Sequence, residues 1–216
     1  MSLNPFSTGR VTFLLGCIAV AGCPDPQARF DEFGERYAAL GEGGSNEGGA
    51  TACTPTTPGE ASGEHLFTLS AKLNPAKAFT FDTTLTTTDD GSGGLLVDLS
   101  LQPLAKEDQA TPVGDPIVMT GLAVAADGTF EWDFGDVTLL NAANPISDLD
   151  VAVSGLVFLG SICGGDQLGF ICGDVTGIVT APLNGFDLTG STFTIQRYET
   201  ELPAPVINCA GDPATY

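Results

Sequence analysis

The feature that most restricts this chain is an alternation of apolar and polar residues with period two, beginning at His65 and recurring to about Tyr198. Phe67, Leu69, Ala71 and Leu73 alternate with Thr68, Ser70 and Lys72. Val97, Leu99 and Leu101 alternate with Asp98, Ser100 and Gln102. A period of two places one set of side chains on each face of an extended segment, so these stretches are half-buried strands. Ala126-Asp127-Gly128-Thr129 joins an apolar run, Ile117 to Ala125, to Phe130-Glu131-Trp132-Asp133-Phe134, the strongest hairpin signal in the chain. Leu183-Asn184-Gly185-Phe186 marks a second turn, ahead of a final strand. Strands are expected near 66–73, 78–86, 94–102, 117–125, 129–140, 149–162, 168–180 and 186–198. No helical period interrupts them, and a parallel sheet would need crossover helices. The expected fold is therefore all-β, a single antiparallel β-sandwich or barrel of about eight strands over residues 64–216.

The first residues carry a different pattern. Met1 to Arg10 is polar with one positive charge, Val11 to Val20 is apolar, and the small residues Ala21 and Gly22 follow. This is the anatomy of a signal peptide over residues 1–22. Ten apolar residues in a helix reach about 15 Å, half the thickness of a hydrocarbon core, so a permanent transmembrane span is not expected. Val20-Ala21-Gly22-Cys23 resembles the lipobox of bacterial lipoproteins. That resemblance implies a diacylglyceryl group on the Cys23 thiol, cleavage just before it, and acylation of the new amino group. Two or three acyl chains, at about 0.8 kcal/mol per buried CH₂, hold a protein stably at a membrane. Cys17 lies in the segment that would be discarded. Pro24 stands where enteric lipoproteins carry an inner-membrane retention aspartate, which favours the outer membrane. Cleavage after Ala19-Val20-Ala21, giving a soluble secreted product, is the competing outcome.

Between this signal and the strands lie two further segments. Asp25-Pro26 is a helix-start pair and Gly41 a stop, which predicts a short helix whose face carries Phe30, Phe33, Tyr37 and Leu40. Its two arginines face three acids, unlike basic interfacial helices, so packing against a protein partner or the main domain is expected of that face. Residues 41–63 hold seven glycines and read as a flexible linker with a coil dimension of about 26 Å.

With Cys23 assigned to lipid, Cys53, Cys163, Cys172 and Cys209 remain for two disulfides in an oxidising compartment. Cys163 and Cys172 flank a glycine-rich tip, which favours their local pairing and leaves Cys53 to join Cys209. No CxxC spacing supports a metal site, and no cofactor is indicated. Composition narrows the partners. Seven basic residues face 27 acidic ones, for a net charge of -20, and after Lys77 only Lys106 and Arg197 are basic. Clustered cations normally engage phosphate backbones and anionic lipid headgroups, so both are poor expected partners and nucleic acid is not expected.

No residue qualifies as catalytic. His65 is the only histidine, lacks a GxSxG elbow, and is expected to be a solvated residue at a strand start. Glu131 and Asp133 share one side of a strand but oppose three aromatics, as core-facing rings and water-facing acids do. Asp89-Asp90-Gly91, Asp127-Gly128 and Asp148-Leu149-Asp150 fit turns and complete no calcium loop. The expectation is a membrane-anchored, extracytoplasmic lipoprotein that is not an enzyme and has a binding or structural envelope role. Two alternatives are a carrier of an apolar ligand inside a small barrel and a hydrolase using paired carboxylates.

Overall fold

Threonine, valine, leucine and phenylalanine fill the alternating segments, and such residues fit a pleated, half-buried surface. In a computed structural model, which describes residues 53–216, they form nine strands. These are β1 (Gly63–Ser70), β2 (Phe79–Asp89), β3 (Leu95–Pro103), β4 (Ile117–Val124), β5 (Thr129–Leu139), β6 (Val151–Ser161), β7 (Phe170–Ala181), β8 (Phe186–Asp187) and β9 (Ser191–Tyr198). All belong to one antiparallel sheet ordered β4-β3-β2-β1-β9-β7-β6-β5, with the short β8 added to β7, and the sheet is nearly closed into a barrel. The expected N-terminal helix and the lipobox lie outside the described residues.

Two local expectations are corrected. The turn between β4 and β5 forms, with Gly128 N–H donating to the Ala125 carbonyl at 2.8 Å, but no ladder grows from it. The two strands become the edges of the sheet. Phe130 and Trp132 stack at 3.7 Å on the inner face of β5, and the Trp132 indole N–H takes the Ala123 carbonyl at 3.1 Å. That carbonyl is one a ladder between the two strands would need. The last predicted strand is also broken, because Phe186 and Asp187 pair with the end of β7 before the chain turns and returns as β9 beside the start of β7.

Antiparallel order sorts the loops into two ends. Loops 71–78, 104–116, 140–150 and 182–190 share one end, and 90–94, 125–128 and 162–169 share the other. On β1 and β5 the inward-facing residues become smaller toward the first end, whereas β2 keeps Phe79 and Phe81 there. Along β1 and just beyond, they run His65, Phe67, Leu69, Ala71. Along β5 they run Phe130, Trp132, Phe134 and then, past a bulge, Val137 and Leu139. Gly135 at the bulge has φ +64°, and the extra residue flips which parity points inward. Phe67, Phe81, Phe158 and Phe193 interlock at 5.3 to 5.7 Å and fill the middle of the barrel. The loop 162–169 end is therefore closed by packing.

Two straps lie on the outside. Residues 53–62, expected to belong to a flexible linker pinned at Cys53, pack against the barrel: Pro55 bridges to Cys163, and Thr56 and Ala61 are buried. Residues 199–216 cross the outer face of β9 and β1, where Thr192 and Thr194 hydroxyls donate to the Ile207 and Val206 carbonyls at 2.5 and 2.7 Å. Two disulfides fasten these straps, Cys53–Cys163 and Cys172–Cys209. The expected pairing of Cys163 with Cys172 is thus corrected. The β6–β7 register sets Cys172 opposite Ser161, so Cys163 falls two residues beyond the ladder. Ile162 and Ile171 take the inward positions next to each cysteine, which leaves both thiols directed to the outside, where the straps run.

Candidate functional site

The small inward side chains that β1 and β5 carry at one end leave space there. A cavity of about 350 Å³ opens at the end of the barrel formed by loops 71–78, 140–150 and 182–190. Its walls come from Leu69, Ala71 and Leu73 on the β1 side, Phe79 of β2, and Val137 and Leu139 of β5. Val151, Val153 and Leu156 of β6 and Val179 of β7 complete the barrel wall. Pro182, Leu183, Phe186 and Leu188 close it along the β7–β9 connection. Apart from Asn144 and Ser147, every lining residue is apolar.

Those two polar residues belong to the segment 144–149, which walls one side. Asn144 is buried, and its side chain is fully engaged within its own loop. The amide donates to Ser147 Oγ and the Leu149 carbonyl, each at 2.8 Å, while Oδ1 accepts the Ile146 N–H at 3.0 Å and the Ser147 N–H at 3.2 Å. Asn144 therefore orders the wall and offers nothing to a guest. A guest in this space would meet hydrocarbon almost everywhere, the Ser147 hydroxyl being the one polar side chain with a proton not used in the loop, so an apolar group gains most by entering. At the mouth three leucines stand partly in water: Leu73 is 49 % exposed, Leu149 55 % and Leu183 42 %. Apolar exposure gathered at a cavity entrance is a feature of ligand and surface-binding sites.

A more open groove of about 370 Å³ adjoins the cavity and shares Asn144, Ile146 and Ser147 with it. Lys77, Lys106, Glu107, Asp148 and Tyr216 line its outer part. Lys106 Nζ pairs with Asp148 at 2.5 Å, and this contact holds the Asp148 carboxyl below its ordinary range. Tyr216 donates to the Ala78 carbonyl at 3.1 Å, and burial pushes its phenol up to about 12.

The residues singled out in the sequence fall elsewhere. Cys23 and the face of Phe30, Phe33, Tyr37 and Leu40 lie outside the described residues. Cys53, Cys163, Cys172 and Cys209 are bridged on the barrel exterior, away from the cavity. His65 is not solvated: it is 2 % exposed inside the barrel, Nδ1 lies 3.0 Å from the Gly63 carbonyl, and burial pulls its pKa down. Glu131 and Asp133 are exposed on the outer face of β5, and neither lines the cavity or the groove. Asp90 accepts the N–H groups of Ser92 and Gly94 at 2.7 and 2.9 Å, and Asp127 that of Thr129 at 3.0 Å. Asp108 does the same for Ala110 and Thr111 and, chiefly through the Thr111 hydroxyl, is drawn down to about 2. These aspartates close turns.

The apolar-ligand alternative anticipated a cavity, but the sequence named none of its lining residues; the step from Phe67 through Leu69 to Ala71 on β1 is the signal that could have placed it. Among the described residues no helix is long and apolar enough to cross a membrane, and the two disulfides suit an oxidising, extracytoplasmic compartment. No family model matches the chain, and no curated protein and no solved structure matches it either.

Proposed function

We propose that this protein is a lipid-anchored extracytoplasmic binding protein, not an enzyme, whose barrel holds the apolar part of a small ligand in its open end. The observation that carries the proposal is the cavity of about 350 Å³ with apolar walls. A dry apolar cavity of about 150 Å³ accepts a benzene-sized guest, so this one suits roughly twice that, a chain of about ten to twelve carbons. Removing about ten methylenes from water contributes about 8 kcal/mol, the scale of a micromolar complex before the costs of association are subtracted. The lipobox-like Val20-Ala21-Gly22-Cys23 supports attachment through Cys23, and Pro24 favours the outer membrane. A membrane is also the nearest store of such ligands. The binding or structural envelope role expected from the sequence includes a purely structural one that needs no cavity, which is why the carrier reading is preferred.

The test is a titration with the neutral apolar dye N-phenyl-1-naphthylamine, whose fluorescence rises in a dry site. The native chain should bind it with micromolar affinity. Ala71→Phe, which adds a ring at a buried lining position, should weaken binding at least tenfold without lowering Tm, because the new side chain enters existing space. A native chain that leaves the dye dark, or an Ala71→Phe variant that binds it unchanged, would refute the proposal.

A further inference from the structure

The apolar walls say what enters the cavity, and the charges at its mouth say what stays outside. Resting on the carrier reading above, we propose that the ligand is a single-chain amphiphile with an anionic head group, its chain in the cavity and its head beside Lys77 and Lys72. The whole chain contains three lysines, Lys72, Lys77 and Lys106, and all three lie in loops at the cavity end. Lys106 is occupied by Asp148. Lys72 Nζ donates to the Thr189 carbonyl at 2.8 Å and stands 5.4 Å from the centre of the Phe186 ring, a cavity wall. An ammonium there has one proton committed and others directed to water.

Lys77 lines the groove that shares its inner wall with the cavity, and among the described residues its ammonium has no hydrogen bond or ion pair. Of the three lysines, Lys106 alone is in an ion pair among the described residues. Glu107 in the groove and Asp187 near Lys72 also face this site. The preference for an anion is therefore local and modest, set by the ammonium groups of Lys77 in the groove and Lys72 by the Phe186 wall. A cationic head would have to displace Lys77 from its place, and an uncharged one would gain nothing from it.

The experiment is displacement of the same dye from the full chain by dodecanoate, dodecanol and dodecyltrimethylammonium, which share a chain and differ in head charge. Dodecanoate should compete about two- to five-fold better than dodecanol at low salt, the range of an exposed ion pair. The cationic amphiphile should compete worst, and high salt should narrow the spread by screening. The double variant Lys72→Gln with Lys77→Gln should erase the advantage of dodecanoate while leaving dodecanol unchanged. Arg197→Gln removes the same kind of charge at the other end of the barrel and should preserve the advantage. Equal competition by all three heads, or a preference that survives the double lysine variant, overturns this proposal and leaves the carrier reading standing. A dye that never binds overturns both.

Discussion

Gly173 is the point where the barrel interior is tightest. A Cβ there would sit 1.9 Å from the Leu159 carbonyl oxygen and 2.9 Å from the Phe193 ring. Its cross-strand partner Gly160 leaves room for Phe130 in the same way. Two glycines thus admit the rings that close one end, and the open end exists because those rings crowd the other. Since the carbonyl belongs to a paired backbone and cannot rotate aside, Gly173→Ala should cost about 3 kcal/mol, the upper end of ordinary overpacking. Calorimetry should show Tm lowered by about 6 to 12 °C. A shift within one degree would mean that the strands do not meet at this register. Such a glycine is visible in a sequence, but its purpose depends on a partner thirteen positions away. His65 is the opposite case. The alternation that placed Phe67 and Leu69 inward also placed His65 there, and only its polar character suggested solvent.

At the scale of elements, period two is local information, and the strand bounds follow it to within a few residues. Pairing is not local. A register that sets Ser161 against Cys172 decides the disulfides, and β4 and β5, joined by a tight turn, lie at opposite edges of the sheet. The C-terminal strap shows what this means for stability. It covers the outer face of β9 and β1, where Leu66 is buried although it points away from the core, and Cys172–Cys209 fastens it across a separation of 37 residues. Closing such a loop stabilises by about 4 kcal/mol in the chain-entropy description. Replacing both cysteines with alanine should therefore lower Tm by about 8 to 16 °C. Limited proteolysis should then remove residues after about Glu199 while the barrel survives. A tail that stays protected in the variant would show that its hydrogen bonds alone hold it.

At the scale of the whole molecule, the point where the described chain begins and the cavity lie at opposite ends of the barrel. Cys53, where the chain enters the described domain, is bridged to Cys163 beside the turn at Gly128, at the closed end. The cavity opens at the other end. Neither Cys53 nor Cys163 lines a wall of the cavity. Cys23→Ala should consequently change location without changing binding. In a bacterial host, wild type should take up labelled palmitate and fractionate with membranes. The variant should take up none, appear in the soluble extracytoplasmic fraction, and bind the naphthylamine dye within twofold of wild type. Retention of the variant in membranes, together with an unlabelled wild type, would remove the lipid anchor. A large loss of dye binding in the soluble variant would instead show that the anchor's own acyl chains, or the bilayer they occupy, complete the site.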